Sequence, residues 1–430
     1  RIGRMLGGRR AGFFSALFLS LFPHFYGHMF INPKDIPFAC GYLWSLYYIL
    51  KTLQKPLSIS LFLKLSVVIG ITLAIRLGGF FLIFYLGLAL LLRLYLKRSQ
   101  GQIVKRLFQS IAFGIVVIVV SFAILLPAWP FAHPDPIGTI LHTLTKVAHF
   151  PWSGSVVFNG QIYAATDLPW YYLPQMLLVT TPEFLTALLL IGLIILISSK
   201  AMGLYKEGVA YFTPRRASKF FLVFCFIFPI LVVSIRQATL YDGIRHFLFV
   251  LGPWAILAAL TFDKIHQYFQ KHATHSHTPL VRAAPFALKG MVAICAGALI
   301  IEMAILHPYQ YIYFNRSVGG LEKAWTKFDT EYWGTSHREA VMLLSQKLEK
   351  EGDKKVYKVT SSTTPWTLAP MAPWLVESFL PENLEYTYDI READFYISFL
   401  RFNAHLFSDG KILEDCIVSR KGVPLAIVKD

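Results

Sequence analysis

The chain has 430 residues, of which 55% are hydrophobic and 15% are charged, and its formal net charge at pH 7 is +16. About a quarter of the residues in a soluble domain are charged, so this composition excludes an ordinary soluble protein. It predicts a protein that crosses a membrane several times. The four cysteines show neither a metal-binding spacing nor a disulfide framework.

Apolar runs long enough to cross a bilayer predict about nine spans in the first 306 residues. They centre on 11–23, 36–50, 57–75, 78–96, 108–127, 175–198, 218–235, 246–262 and 286–306. The prediction is therefore an α-helical polytopic membrane domain over residues 1–306, with a large loop at 128–174. Residues 307–430 differ in composition and are predicted to form a separate domain.

The distribution of Lys and Arg predicts the orientation of the spans. If residue 1 is cytoplasmic and the spans alternate, 21 of the Lys and Arg residues before residue 307 lie on the cytoplasmic side and five on the other. Cytoplasmic loops of membrane proteins carry such an excess. The basic charge is thus a topology signal, and we expect no nucleic acid among the partners.

The first candidate site lies in the turn Ile31-Asn32-Pro33-Lys34-Asp35-Ile36-Pro37, between two apolar runs. Ionisable groups near hydrocarbon cost roughly 2.5–3.5 kcal/mol each on insertion scales. Lys34 and Asp35 are therefore candidates for a functional role. The alternative is a local pair that fixes the end of a helix.

The long loop at 128–174 is rich in aromatic residues, and Asp167, Trp170, Tyr171 and Tyr172 follow one another closely within it. Two interpretations stay open. The rings form an aromatic belt at the headgroup level, or they form a lid over a substrate cavity. Residues 138–149 have helical spacing and predict an amphipathic helix on the membrane surface.

Further ionisable groups lie at the non-cytoplasmic ends of the predicted spans. They are Arg76 and the group Asp242, Arg245 and His246. Several cations around one cavity would suit a phosphate, and a nearby carboxylate can act as a general base. Asp242 and Arg245 could also be an interface pair. His24 and His28 have metal-ligand spacing on a helix, but no third ligand accompanies them.

Residues 307–430 predict a small α/β domain on the extracytoplasmic side. Ser336 and Glu339 have the spacing of a helix capping box. Lys355–Thr360 and Asp394–Leu400 alternate like strands, and Cys416–Val428 predicts a hairpin that turns at Arg420-Lys421-Gly422.

Three segments resemble those of bacterial membrane glycosyltransferases of family 39, the relatives of protein O-mannosyltransferases and of the lipid A aminoarabinose transferase. They are Gly27–Phe38, Phe150–Pro174 with Thr180-Thr181-Pro182, and Tyr241–His246 with His307–Tyr311 and Phe314-Asn315. The resemblance implies a GT-C fold in a bacterial inner membrane. It also implies sugar transfer from a polyprenyl-phosphate carrier at the extracytoplasmic face, with inversion at the anomeric carbon.

The resemblance also assigns roles. Asp35 would be catalytic, and the donor phosphate and sugar would be bound by Lys34, Arg76, Asp167, Trp170, Tyr171, Tyr172, Asp242, Arg245 and His246. The acceptor would be a lipid, a glycan or a protein, and membrane lipids surround the site. No cofactor is required, although a divalent cation would be compatible. The family's principal acidic motif is expected before Arg1, so we expect the chain to lack its natural N-terminus.

Two other classes of function compete with the enzyme. A transporter or lipid flippase would carry charges at the bilayer midplane and broken helices there. A non-catalytic scaffold would present the C-terminal domain, and its ionisable residues would be scattered around the perimeter.

Overall fold

The computed structural model describes residues 1–147, 152, 154–207, 212–352, 355–362 and 380–430. The chain divides into two compact units. Unit 1 comprises Arg1–Phe150, Pro169–Ala238 and Ile244–Ile300, and unit 2 comprises Pro151–Leu168, Thr239–Gly243 and Ile301–Asp430. The predicted domain boundary at 306/307 falls close to this division. The sequence did not indicate that 151–168 and 239–243 group with the C-terminal residues.

The helices of the described chain follow in order. They are α1 Ile2–Gly7, α2 Arg9–Ser20, α3 Pro23–Ile31, α4 Asp35–Gln54, α5 Ile59–Ile75, α6 Phe80–Leu96, α7 Ile103–Leu125, α8 Pro136–Val147, α9 Tyr172–Val179, α10 Glu183–Glu207, α11 Pro214–Arg236, α12 Leu248–His275, α13 Pro279–Ile305, α14 Gly320–Ala324 and α15 His337–Lys350. Each of the nine predicted apolar runs overlaps at least one helix. The predicted surface helix at 138–149 corresponds to α8, and its residues 148–149 lie outside the described residues.

Five helical segments of the described chain are long and apolar enough to cross a membrane. They are Leu77–Leu96, Ile103–Ala128, Pro214–Arg236, Arg245–His275 and Pro279–Ile305. Two bent pairs raise the number to seven if each is one span: α2 with α3, bent by 67°, and α9 with the first part of α10, bent by 120°. These segments confirm the predicted polytopic helical membrane protein, with five to seven candidate spans among the described residues against about nine predicted.

The span that contains α12 is the most buried, with 83% of its apolar window inside the protein. Phe262 on α12 packs against Phe14 on α2, with ring centroids 4.4 Å apart. The indole N–H of Trp254 donates to the carbonyl oxygen of Leu185 at 3.2 Å, which joins α12 to α10. Helix α12 therefore forms the centre of unit 1.

Unit 2 contains a five-stranded sheet. Its strands are β3 Tyr357–Ser361, β4 Leu384–Tyr386, β5 Phe395–Phe399, β6 Val418–Arg420 and β7 Val423–Lys429. Their order across the sheet is β4-β3-β5-β7-β6. Strand β3 pairs in parallel with β4 and β5, whereas β7 pairs antiparallel with β5 and β6. The predicted strands and the hairpin at Lys421-Gly422 are confirmed. Both turn residues have positive φ, as a two-residue hairpin turn requires.

Helix α15 packs its buried residues Val341, Leu344 and Leu348 within unit 2, but the predicted capping box at its start was wrong. Ser336 makes no capping hydrogen bond. Glu339 instead accepts hydrogen bonds from Tyr309 at 2.8 Å and from Arg420 at 2.7 Å. An ion pair with a distant arginine has thus replaced the local contact that the spacing predicts.

A second, smaller sheet lies in the long loop, where the sequence analysis predicted no strands. Strands β1 Ser155–Phe158 and β2 Gln161–Ala164 pair antiparallel around the turn Asn159-Gly160. Both turn residues have positive φ, and Asn-Gly is a strong hairpin signal. The backbone N–H of Gly160 donates to the carbonyl oxygen of Lys327 at 3.0 Å, which connects the hairpin to the rest of unit 2.

In unit 1, a proline inside α11 leaves one backbone carbonyl of that helix without its usual hydrogen-bond donor, and a side chain of α4 supplies a donor instead. Pro229 has no N–H, so the carbonyl of Cys225, four residues earlier, loses its helical donor. The hydroxyl of Tyr42 on α4 donates to that carbonyl oxygen at 2.9 Å. Within a bilayer such groups must be satisfied by the protein itself.

We predict that Tyr42→Phe destabilises unit 1 by about 1–2 kcal/mol, because the Cys225 carbonyl is left without its donor. Unfolding by SDS in mixed micelles measures the change. Tyr48→Phe is the matched control, since Tyr48 lies on the same helix and is only partly buried. Equal effects of the two substitutions would contradict the role of the Tyr42 hydroxyl.

Candidate functional site

The turn between α3 and α4 is built by the side chain of Asn32. Its Oδ1 accepts hydrogen bonds from the backbone N–H groups of Lys34 at 3.2 Å and Asp35 at 2.8 Å. Such bonds are typical of asparagine at the start of a helix. Asp35 is the first residue of α4, where the helix dipole favours a negative charge.

The carboxylate of Asp35 is held by two side chains. Asn32 Nδ2 donates to Asp35 Oδ2 at 2.8 Å, and Arg76 Nη1 forms an ion pair with Asp35 Oδ1. Arg76 directly follows the last residue of α5. The Asp35 side chain is only 6% exposed, so its charge is offset almost entirely by protein groups. The carboxylate is therefore fixed in position.

Further cations surround this ion pair. Partial burial, followed by the charges of Arg76 and Arg245, lowers the pKa of the Lys34 ammonium. His246 interacts electrostatically with Arg76, Arg245 and Lys34. The structure thus brings together five residues that the sequence predicted, namely Lys34, Asp35, Arg76, Arg245 and His246.

These five residues define the candidate site in unit 1. They carry three cationic side chains, Lys34, Arg76 and Arg245, against a single carboxylate, and Arg and Lys are the side chains that bind phosphate. An anion entering this cluster would relieve the repulsion among Lys34, Arg76 and Arg245. The arrangement favours a phosphorylated ligand with a carboxylate beside it.

The predicted aromatic residues lie at the start of α9 in unit 1. Tyr172 is buried, whereas Trp170 is 63% exposed and Tyr171 is 39% exposed. The rings of Trp170 and Tyr171 meet edge to face, with centroids 5.8 Å apart. Their exposure fits both the belt and the lid interpretation. Phe150 and Pro151, which belonged to the same predicted segment, lie outside the described residues.

The remaining two predicted site residues belong to unit 2. Asp167 is exposed, and its backbone N–H closes a turn by donating to Ala164 at 2.9 Å. Asp242 is buried, has a φ of 57°, and forms an ion pair with Arg401 at 2.6 Å. Arg401 lies 159 residues further along the chain, so the sequence spacing did not indicate this partner of Asp242.

Arg401 also lies 3.9 Å from Asp329, whose carboxylate accepts a hydrogen bond from the backbone N–H of Val157 at 3.2 Å. The guanidinium lies over the rings of Phe402 and Trp152, at 4.4 and 5.7 Å from their centroids. No sequence pattern marks Arg401 and Asp329 as site residues, because single charges far apart in the chain leave no periodic signal.

The residues with metal-ligand spacing do not form a metal site in the described part of the chain. His24 and His28 are both buried, and His28 Nδ1 lies 3.3 Å from Asn32 Nδ2. No group of three or more His, Cys, Asp or Glu side chains that could hold a metal occurs among the described residues.

Comparison with known proteins gives one match. Residues 1–129 match the model of the family described as dolichyl-phosphate-mannose-protein mannosyltransferase. The matched part includes Lys34, Asp35 and Arg76 and ends before the aromatic loop. Neither the curated proteins nor the solved structures gave a match to the chain.

The match supports a GT-C-type glycosyltransferase of the mannosyltransferase kind, which in general uses a polyprenyl-phosphate-linked sugar. Together with the apolar helices, it supports a multi-pass membrane protein. The match assigns no role to any single residue of the candidate site.

A pH effect follows from the Arg401 cluster. Burial raises the pKa of Asp329 from 3.8 to about 6, against the opposing charge of Arg401. Because the folded state holds this proton more tightly than the unfolded chain, stability is lost as the pH rises from about 4 to about 6. We predict that Asp329→Asn removes this loss. The free energy of unfolding of the variant relative to the parent should rise by roughly 2 kcal/mol from about pH 4.5 to about pH 7.

Denaturant unfolding in detergent micelles at the two pH values measures this difference. Asp409→Asn, which changes an exposed carboxylate of unit 2, is the control and should show no such dependence. A difference between Asp329→Asn and the parent that is the same at both pH values would contradict the raised pKa.

Proposed function

We propose that this protein transfers a sugar from a polyprenyl-phosphate carrier to a lipid, glycan or protein acceptor at the extracytoplasmic face of a bacterial inner membrane. The observation that carries the proposal is the Asp35 carboxylate, fixed by Asn32 and Arg76 within the segment that matches the mannosyltransferase family. The Lys and Arg asymmetry supports the choice of face.

The chemistry of the donor fits the charges of the site. In a polyprenyl-phosphate sugar the phosphate is a diester, and it becomes a monoester when the bond to the anomeric carbon breaks. The electron pair of that bond goes to the phosphate oxygen, so negative charge grows during the reaction. Preorganised cations stabilise such growing charge, and Lys34, Arg76 and Arg245 are the groups we assign to it.

The acceptor hydroxyl forms the new bond to the anomeric carbon and loses its proton. Asp35 orients this hydroxyl or assists its deprotonation, and Arg76 and Asn32 keep its carboxylate in place. Attack from the face opposite the leaving phosphate inverts the anomeric centre. No nucleotide takes part, because the leaving group is the lipid phosphate.

Exposed aromatic residues give the sugar or the isoprenoid chain a surface. Trp170 and Tyr171 of unit 1 are both exposed over part of their surface, and aromatic rings suit both ligands. We assign Asp167 and Asp242 no direct role in the chemistry, since Asp167 lies in an exposed turn and Asp242 pairs with Arg401. We propose that unit 2 contributes to the choice of acceptor.

We predict that Asp35→Asn lowers kcat by about 100-fold or more, because the amide is not a base yet fills the same space. The assay uses the protein in vesicles with polyprenyl-phosphate-linked mannose and follows the release of polyprenyl phosphate. Asp135→Asn is the control: Asp135 is exposed and its Oδ1 accepts the Gly138 N–H, which an asparagine can also do. Full activity of Asp35→Asn would exclude Asp35 from the reaction.

We predict that Arg245→Ala lowers kcat by roughly 100- to 1,000-fold, since a cation that stabilises the leaving phosphate is removed. Arg245→Lys should recover part of the activity, and Arg236→Ala, which removes an exposed arginine, should leave it unchanged. Unfolding by SDS checks that the variants are folded. Movement of the intact donor across the vesicle membrane without release of polyprenyl phosphate would favour a flippase.

A further inference from the structure

A second basic cavity lies in unit 1, among α10, α11 and α12 and next to the end of α1. Its volume is about 300 Å³. The lining combines the cations Arg215, Lys219 and Lys264 with an apolar wall. These three cations lie beyond the segment that matches the mannosyltransferase family.

The cations of this cavity exceed its carboxylates. Asp263 is buried and is held by Gln267 at 2.6 Å and by Arg10 at 3.7 Å. Lys219 also interacts electrostatically with Asp263. Within the described part of the chain, none of Arg215, Lys219 and Lys264 forms a salt bridge with a carboxylate. Among the described residues here, the Asp263 carboxylate is therefore surrounded by Arg10 and by the three cations that line the cavity.

One of these cations is fixed by the backbone. Arg215 Nε donates to the carbonyl oxygen of Leu6 at 3.1 Å, which ties the start of α11 to α1. Lys264 is exposed and Lys219 is partly buried, so both ammonium groups border a space that a ligand can enter. Together the three residues form a basic mouth.

The wall beside the basic mouth is apolar. Leu193 and Leu196 on α10, Val223 on α11 and Leu257 on α12 line it. These residues belong to segments that are apolar enough to cross a membrane. A ligand that fits both parts has an anionic head and a hydrocarbon chain.

The cavity is far from the candidate site along α12. Arg245 lies three residues before the first residue of this helix, Leu248, whereas Lys264 lies 16 residues after Leu248. At 1.5 Å per residue the helix from Leu248 to Lys264 is about 24 Å long, close to the thickness of the hydrocarbon core. The two basic clusters therefore lie near opposite surfaces of the membrane, and the cavity is not part of the site that contains Asp35.

We propose that this cavity binds an acidic glycerophospholipid of the cytoplasmic leaflet. Its phosphate would contact Arg215, Lys219 and Lys264, and one acyl chain would lie along Leu193 and Leu196. Basic pockets between spans on the cytoplasmic side bind acidic lipid headgroups in this way. A volume of about 300 Å³ holds a phosphate ester headgroup, while the chains extend into the bilayer.

Native mass spectrometry of the detergent-purified protein tests the proposal with phosphatidylglycerol, phosphatidylcholine, polyprenyl phosphate and inorganic phosphate as separate probes. We expect the parent protein to retain phosphatidylglycerol in preference to the other three. Lys219→Ala combined with Lys264→Ala should weaken that binding by about 25-fold, from roughly fivefold per cation. Leu193→Trp, which fills the apolar part of the cavity, should weaken it as well.

The matched control combines Lys271→Ala with Lys289→Ala, which removes the same charge from exposed positions outside the cavity. It should retain phosphatidylglycerol within about twofold of the parent. Equal loss in the two double variants, or equal retention of phosphatidylglycerol and phosphatidylcholine, would overturn the site. Stronger retention of polyprenyl phosphate or of inorganic phosphate would overturn the assignment to a phospholipid. Neither result bears on sugar transfer at Asp35.

Discussion

The ion pair between Asp35 and Arg76 shows the constraint on which unit 1 depends. In an apolar environment a charge or a free backbone carbonyl needs a partner from the protein itself. Asn32 and Arg76 fulfil this need for Asp35, and Tyr42 fulfils it for the carbonyl left open by Pro229. The same contacts that stabilise the helices therefore hold the carboxylate of the candidate site in one place.

Positive charge is distributed along α12 in a way that relates structure to function. Arg245 precedes the helix and joins the cluster around Asp35, while Lys264 borders the second cavity toward the other end of the helix. Helix α12 is also the most buried span. In the two proposals above, a central helix with a cationic group toward each end would place a phosphate site near each leaflet. This arrangement suits an enzyme with a lipid-phosphate donor better than a transporter.

Unit 2 also buries a charged group, but there the charge is an arginine with carboxylate and aromatic partners. Its buried arginine, Arg401, pairs with Asp242 and approaches Asp329, and aromatic rings cover the guanidinium. Removing one partner of such a group leaves an uncompensated buried charge, which is costly. These contacts join residues from the hairpin, from the segment before α12 and from the segment that follows β5. They explain why short segments far apart in the chain belong to one compact unit.

The sequence by itself determined the helical membrane architecture, the position of the apolar runs, the strands β3 and β5 and the hairpin at Lys421-Gly422. Each of these follows from local composition, periodicity or turn chemistry. It also singled out Lys34 and Asp35, because charges beside apolar runs are conspicuous. Only the tertiary structure decided that Arg76 binds Asp35, that Asp242 binds Arg401, and that Glu339 binds Arg420 rather than capping α15. Such pairs depend on how distant helices and strands pack, and short-range patterns carry no record of that packing.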